Sequence, residues 1–177
     1  LTLTGQTSGV KAIVVNTTAT DGTDPNTLYV KYVDSGTDSS TDKFTATETI
    51  SVSTTLQGQV TTVSAVVEDC FTGSAAYIGA GVYYLNGFFV QADTETLILD
   101  KYSNTPSYRI GLQVSESFVT PNADPSLNDN AQGVSNTNAP GAHRFKIELT
   151  LAKKALNNTE DSNFYELLRL SNGVLQN

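Results

Sequence analysis

Along much of this chain, hydrophobic residues recur at every second position rather than at helical spacing. In residues 143–153 (HRFKIELTLAK), Phe145, Ile147, Leu149 and Leu151 alternate with Arg144, Lys146, Glu148 and Thr150. A period of two over that length predicts a half-buried antiparallel strand. Residues 108–114 repeat it through Ile110, Leu112 and Val114, and residues 27–33 through Leu28, Val30 and Tyr32. In residues 44–53, Phe44, Ala46, Ile50 and Val52 take one face, and Thr45, Thr47, Thr49, Ser51 and Ser53 the other. Residues 82–90 (VYYLNGFFV) predict a hairpin, because Asn86-Gly87 accepts the two positive φ values of a type I′ turn. Tyr83, Tyr84, Phe88 and Phe89 are then expected to pair across it. Leu97-Ile98-Leu99 is the next short strand. Residues 163–175 predict strand, turn and strand around Ser171-Asn172-Gly173. A short helix is the alternative there, since Phe164, Leu167, Leu168 and Ser171 also fit a helical stripe.

Two regions interrupt the alternation. Residues 34–42 (DSGTDSSTD) form a polar loop, and residues 119–142 carry five Asn, three Pro and two Gly. Connections that long are uncommon in compact domains. Within the second, Asp124-Pro125 is suited to cap one helical turn running to Asn130, and Pro140-Gly141 closes it as a structural turn. The spacing loosens around residues 68–74, which divides the chain into an N-terminal β segment, residues 1–72, and a second β domain, residues 73–177. No repeat of 20–50 residues stands out. The expected fold is all-β: an antiparallel, sandwich-like arrangement with one long irregular loop and at most a short helix.

Composition narrows the function classes. Thr, Ser and Asn supply 25, 16 and 14 of the 177 residues, while charged residues make up only 16%. Leu, Ile, Val and Phe number 45, enough for a packed core. The net charge of −8 and the lack of a basic patch exclude a nucleic-acid-binding reading. No run of about 18 apolar residues predicts a membrane span. Numbering opens at Leu1 and Met is absent, from which we expect a segment of a longer chain. Cys70 is the only cysteine, so an internal disulfide is excluded.

Candidate chemistry is sparse. His143 is the sole histidine, and no Gly-x-Ser-x-Gly elbow accompanies it, so a structural or surface role is expected. Cys70, beside Asp69 and Phe71, reads as an inert thiol. Asp34, Asp38 and Asp42 miss the calcium-loop pattern at Gly36 and Ser39. Asp124, Asn128, Asp129 and Asn130 read as a solvated loop. Glu48, Glu95, Asp100, Glu116 and Glu148 lie on or beside predicted strands, but only a fold decides whether two face each other as glycosidase carboxylates do. Gly79-Ala80-Gly81 precedes a strand and so is no phosphate loop. Asn16 and Asn157 open glycosylation tripeptides of a kind that Asn/Thr-rich chains carry by chance. We assign no catalytic, cofactor-binding or metal-binding residues and expect no enzyme. A hydroxyl row through Thr45, Thr47 and Thr49, with Tyr83 and Tyr84 for ring stacking, is a candidate glycan-facing surface; solvent-facing Thr of high β propensity is the plainer account.

The blocks at residues 81–90, 97–102, 106–112 and 139–147, in that order, resemble an uncharacterised structural domain family of tail-fibre and baseplate proteins of tailed bacteriophages, cyanophages among them. The resemblance spans residues 77–175. It implies a virion structural protein, made in the host cytoplasm and located in the tail, that acts as a scaffold or attachment module. The implied partners are copies of itself, as a homotrimer, and other tail or baseplate proteins. A carbohydrate- or receptor-binding tip with a host surface glycan is the alternative. The resemblance brings no catalytic residues.

Overall fold

The computed structural model describes residues 1–23, 25–56, 59–129, 133, 136, 138, 141–159 and 161–176, without the side chains of residues 55, 56 and 59. The protein is all-β and antiparallel. Among the described residues it has thirteen strands and one 3-10 turn. The strands are β1 (Thr2–Gly5), β2 (Lys11–Thr18), β3 (Thr27–Asp34), β4 (Thr49–Leu56), β5 (Gln59–Val66), β6 (Ser74–Ile78), β7 (Gly81–Leu85), β8 (Phe88–Ala92), β9 (Glu95–Asp100), β10 (Tyr108–Val119), β11 (Arg144–Ala155), β12 (Phe164–Ser171) and β13 (Val174–Gln176). They divide between two compact units: Leu1–Ser74 with Asp100–Asn104, and Ala75–Leu99 with Thr105–Asn177.

The first unit is a five-stranded sheet ordered β3-β2-β1-β4-β5. One face carries Leu3, Ala12 and Ile50, covered by Val10, Phe44 and Val67 from the connections. Tyr32 on β3 meets Phe44 edge-on, with ring centroids 5.3 Å apart. Residues 100–104 return to this unit, where Tyr102 packs edge-on against Phe71 at 5.1 Å. Leu28 falls off the buried face: one-residue bulges on both strands interrupt the β2–β3 pairing, and Leu28 lies beyond the second of them, exposed.

The second unit centres on a four-stranded sheet ordered β11-β10-β12-β13. The β6–β9 pair lays Ala76, Ile78, Leu97 and Leu99 over Ile110, Leu112, Leu149, Leu151, Leu168 and Leu170, which gives the sandwich-like packing. Residues 110, 112 and 114 are buried, as their alternation predicts. The second face of β10 is buried as well, with Arg109 and Gly111. Strand β12 carries a bulge at Leu167, because Ile110 pairs with Leu168 while Gly111 pairs with Glu166. That extra residue shifts the alternation and produces the helix-like spacing of Phe164, Leu167 and Leu168. The segment is strand, turn and strand, not a helix.

Several expectations need correction. Residues 44–48 form a turn, with Thr47 at φ 70°, so the strand predicted from Phe44 starts at Thr49. Phe145 does not face the core: it is about half exposed and packs on Phe88 and Phe118. Across the hairpin only Tyr84 and Phe89 pair as aromatics, since Tyr83 opposes Val90 and Phe88 opposes Leu85. The capped turn stops at Leu127, because Asn128 is already extended. β10 runs on to Val119, and the long connection from there to β11 includes Pro140 and Asn130, which lie outside the described residues. Alternation alone assigns no strand to β1, β2, β5 or β6.

Candidate functional site

The hairpin β7–β8 turns at Asn86 and Gly87, with φ 51° and 88°, the left-handed pair that a two-residue turn needs to follow strand twist. The Tyr165 hydroxyl on β12 donates to Asn86 Oδ1, which fastens the turn to the neighbouring sheet. Alternation sends Tyr83 inward to the core cluster and Tyr84 outward. On the outer face Tyr84 and Phe89 lie 5.1 Å apart by centroid, 65% and 79% exposed. On the inner face Phe88, Phe145 and Phe118 form a partly exposed aromatic row, with successive centroids 5.8 and 5.7 Å apart.

The three threonines form no strand-borne hydroxyl row. Thr45 and Thr47 sit on the turn, Thr49 opens β4, and all three belong to the first unit, while Tyr83 and Tyr84 belong to the second. Glu48 explains the turn. Its buried carboxylate accepts from the Thr45 amide (2.7 Å), the Ser8 amide (3.1 Å) and the Ser8 hydroxyl (3.0 Å). Burial opposes its charge, but those hydrogen bonds together outweigh it and hold its pKa below the ordinary value. Glu48 is thus a structural anchor with its donors already in place.

Beside β11 runs an open groove of about 350 Å³, lined by Gln91, Asp93, Thr94 and Glu95 and by residues 147–150. Glu95 Oε2 accepts the Leu151 amide at 2.7 Å, and Lys146 pairs with Glu148 at 2.7 Å. Of its three carboxylates, Glu95 therefore anchors strand β11, and Glu148 is paired within that strand. Asp100 belongs to the other unit, and Glu116 lies on β10 outside the groove lining.

The remaining candidates serve the fold. Asp38 accepts the amides of Ser40 and Thr41 and both their hydroxyls, at 2.7–3.0 Å, with the Thr41 bonds foremost in keeping it ionised far into acid. Asp34 pairs with Lys11 at 3.0 Å. Asp124 caps the 3-10 turn through the Ser126 amide, and Asp129 bridges to Asn136. Gly141 ends the long loop where a Cβ would strike Pro121 and the Leu127 carbonyl, and Ala142 donates to that carbonyl at 2.8 Å. His143 is exposed. Cys70 is half-buried within 3.9 Å of the Tyr32 hydroxyl, whose pKa burial pushes up to about 12. No group of three or more His, Cys, Asp or Glu able to hold a metal occurs among the described residues. No helix among them is long and apolar enough to cross a membrane.

Sequence reasoning missed the strongest polar cluster. Arg109, 5% exposed on β10, donates to Glu166, to the Asn158 carbonyl and to Asp161 (2.8 Å), and lies 5.7 Å from the centre of the Phe164 ring. Arg169 completes it, 2.9 Å from Glu166. The only signal in the sequence is a cation inside the apolar run Tyr108 to Val114, which reads as an ordinary outward residue when one face is assumed buried.

Among known families, the model for a Domain of unknown function (DUF4815) matches residues 51–177. That is well over half of the chain, and the chain belongs to this family. No curated protein and no solved structure matches it.

Proposed function

We propose that this DUF4815 protein is a virion structural component, a scaffold or attachment module in the tail fibre or baseplate of a tailed bacteriophage. The observation that carries the reading is the aromatic surface of the second unit. Phe118, at 67% exposure, and the half-exposed Phe145 and Phe88 form an apolar row on a chain rich in Thr, Ser and Asn. Contiguous exposed apolar surface of this kind belongs to proteins that work with partner chains. The ordered sequence blocks from residue 81 to 147, and their resemblance to tail proteins, supply the identity of the assembly. Its partners are copies of itself, as a homotrimer, and neighbouring tail proteins. The role is not enzymatic. An antibody raised against the purified chain should decorate the tails of the phage that encodes it, seen by negative-stain microscopy. Intact particles left unlabelled, with the antibody still binding free protein, would overturn the reading. Sedimentation of the intact protein tests the trimer separately.

A second reading, a glycan- or receptor-binding tip, is favoured by Tyr84, which stands 65% exposed beside Phe89. Flat exposed rings stack on sugar faces, but Thr45 and Thr47 contribute no strand-borne hydroxyl row to such a site. Binding of the folded protein on a glycan array, lost in Tyr84→Ala, would establish this reading; no binding would dismiss it.

A further inference from the structure

We infer that the free edge of β5 pairs antiparallel with β5 of a second copy of this chain, about a two-fold axis through Val63. Among the described residues β5 is the outermost strand of the five-stranded sheet, hydrogen-bonded only to β4. Residues 60–66 are exposed on both faces, with Val60, Val63 and Val66 at 67%, 59% and 63%. Natural edge strands are usually guarded by Lys, Pro, bulges or brevity. This one is eight residues long, pairs with β4 without a bulge, and has neither a charge nor a proline.

The occupant follows from charge and pattern. From Thr49 to Val67 there is no ionisable side chain, and Glu48 and Glu68 bound the run. In a chain of net charge −8, an edge without charges lets a second copy approach with little local repulsion. Residues 60–66 read Val-Thr-Thr-Val-Ser-Ala-Val, which is nearly palindromic about Val63. Antiparallel self-pairing there sets Val60 opposite Val66, Thr62 opposite Ser64, Thr61 opposite Ala65, and Val63 opposite itself. Valine meets valine and hydroxyl meets hydroxyl, the cross-strand matches that favour a sheet.

Backbone parity agrees with this register. Val67 exchanges hydrogen bonds with the residues leading into β4, and the Thr49 carbonyl points the other way, to Gln6. By alternation, the odd-numbered residues of β5 direct their amides and carbonyls to β4, and residues 60, 62, 64 and 66 direct theirs to the open edge. The proposed register pairs 60 with 66 and 62 with 64, so every free group finds a partner. Val63 then falls at a non-hydrogen-bonded position on the axis, where the two Cα atoms stand about 4.5 Å apart.

The inference does not depend on the tail reading. A two-fold contact cannot close a trimer, so if the protein is trimeric, this edge joins one ring to another. The test uses the full chain. Wild type should sediment as a dimer or a multiple of one, and Val63→Lys, which sets like charges face to face, should raise the dissociation constant of that contact at least about tenfold. Ser64→Pro removes one outward amide without touching the β4 ladder and should do the same. In a Cys70→Ser background, Val63→Cys should form an intermolecular disulfide under mild oxidation, since the Cα separation suits one. Val60→Cys should not, because its symmetry mate lies about 20 Å along the strand. Unchanged circular dichroism shows that a variant has folded. A wild-type monomer overturns the inference. So does a trimer or other oligomer that folded Val63→Lys and Ser64→Pro leave intact, or disulfide formation at residue 60 as readily as at 63; an intact trimer would still satisfy the proposed tail role.

Discussion

Gly111 and Tyr165 meet backbone to backbone at the bulge between β10 and β12: a Cβ on Gly111 would overlap the Tyr165 carbonyl. The carbonyl cannot swing aside without breaking the ladder that holds β12 to the central strand. Gly111→Ala should therefore destabilise the protein by about 3 kcal/mol, as overpacking against backbone does. Urea denaturation followed by circular dichroism measures this.

Arg109 ties β10 to β12 and to the loop before it, through Glu166, Asp161 and the Asn158 carbonyl. Arg109→Met keeps the volume but leaves Glu166 charged and poorly solvated. The melting temperature should fall by about 8 °C. Adding Glu166→Gln should recover part of the loss, a coupling that a double-mutant cycle reads directly. Arg109→Lys should not rescue, because a single ammonium cannot span the same three acceptors.

Acid should weaken the fold in a defined window. Hydrogen bonds from Arg169, and then from Arg109, hold Glu166 at about 2 against an ordinary 4.5. Glu48 and Asp161 are lowered too, the latter chiefly by Arg109. A carboxylate whose folded pKa is depressed stabilises fully above its unfolded value, and that stability is lost as pH falls toward the folded one. Thermal melts should accordingly be level above about pH 5 and decline between about pH 4.5 and 2. In Glu166→Gln the decline should be shallower.

The hairpin turn separates backbone from side-chain effects. A Cβ on Gly87 would meet nothing within 4 Å, so Gly87→Ala should cost only the left-handed conformation, about 1 kcal/mol. Tyr165→Phe removes the hydroxyl that holds Asn86 and should cost about 1 kcal/mol while the turn persists. Both are read from denaturation midpoints.

Local chemistry made the hairpin, β10, β11 and the terminal strand pair legible. Asn-Gly demands positive φ wherever it turns, and alternation marks a strand that has one wet and one dry face. Gly111, inside the β10 alternation, lies at both a bulge and a close backbone approach, the two uses of a glycine in a strand. The same reasoning misread residues 44–48 because a distant group decides them: Ser8 and Glu48, forty residues apart, turn a segment whose alternation is otherwise regular. It put Phe145 inside because periodicity tells which residues share a face but not whether anything covers that face.

The sequence by itself determined an all-β antiparallel chain, the position of its tight turns and the neutrality of residues 49–67. These depend on backbone sterics and composition, which act over a few residues. Only the tertiary structure decided that Arg109 is buried, that Asp100–Asn104 fold back on the first unit, and that β5 is an edge. Each of those is set by pairing between segments far apart in the chain, and sheet order leaves no local trace in the residues that obey it.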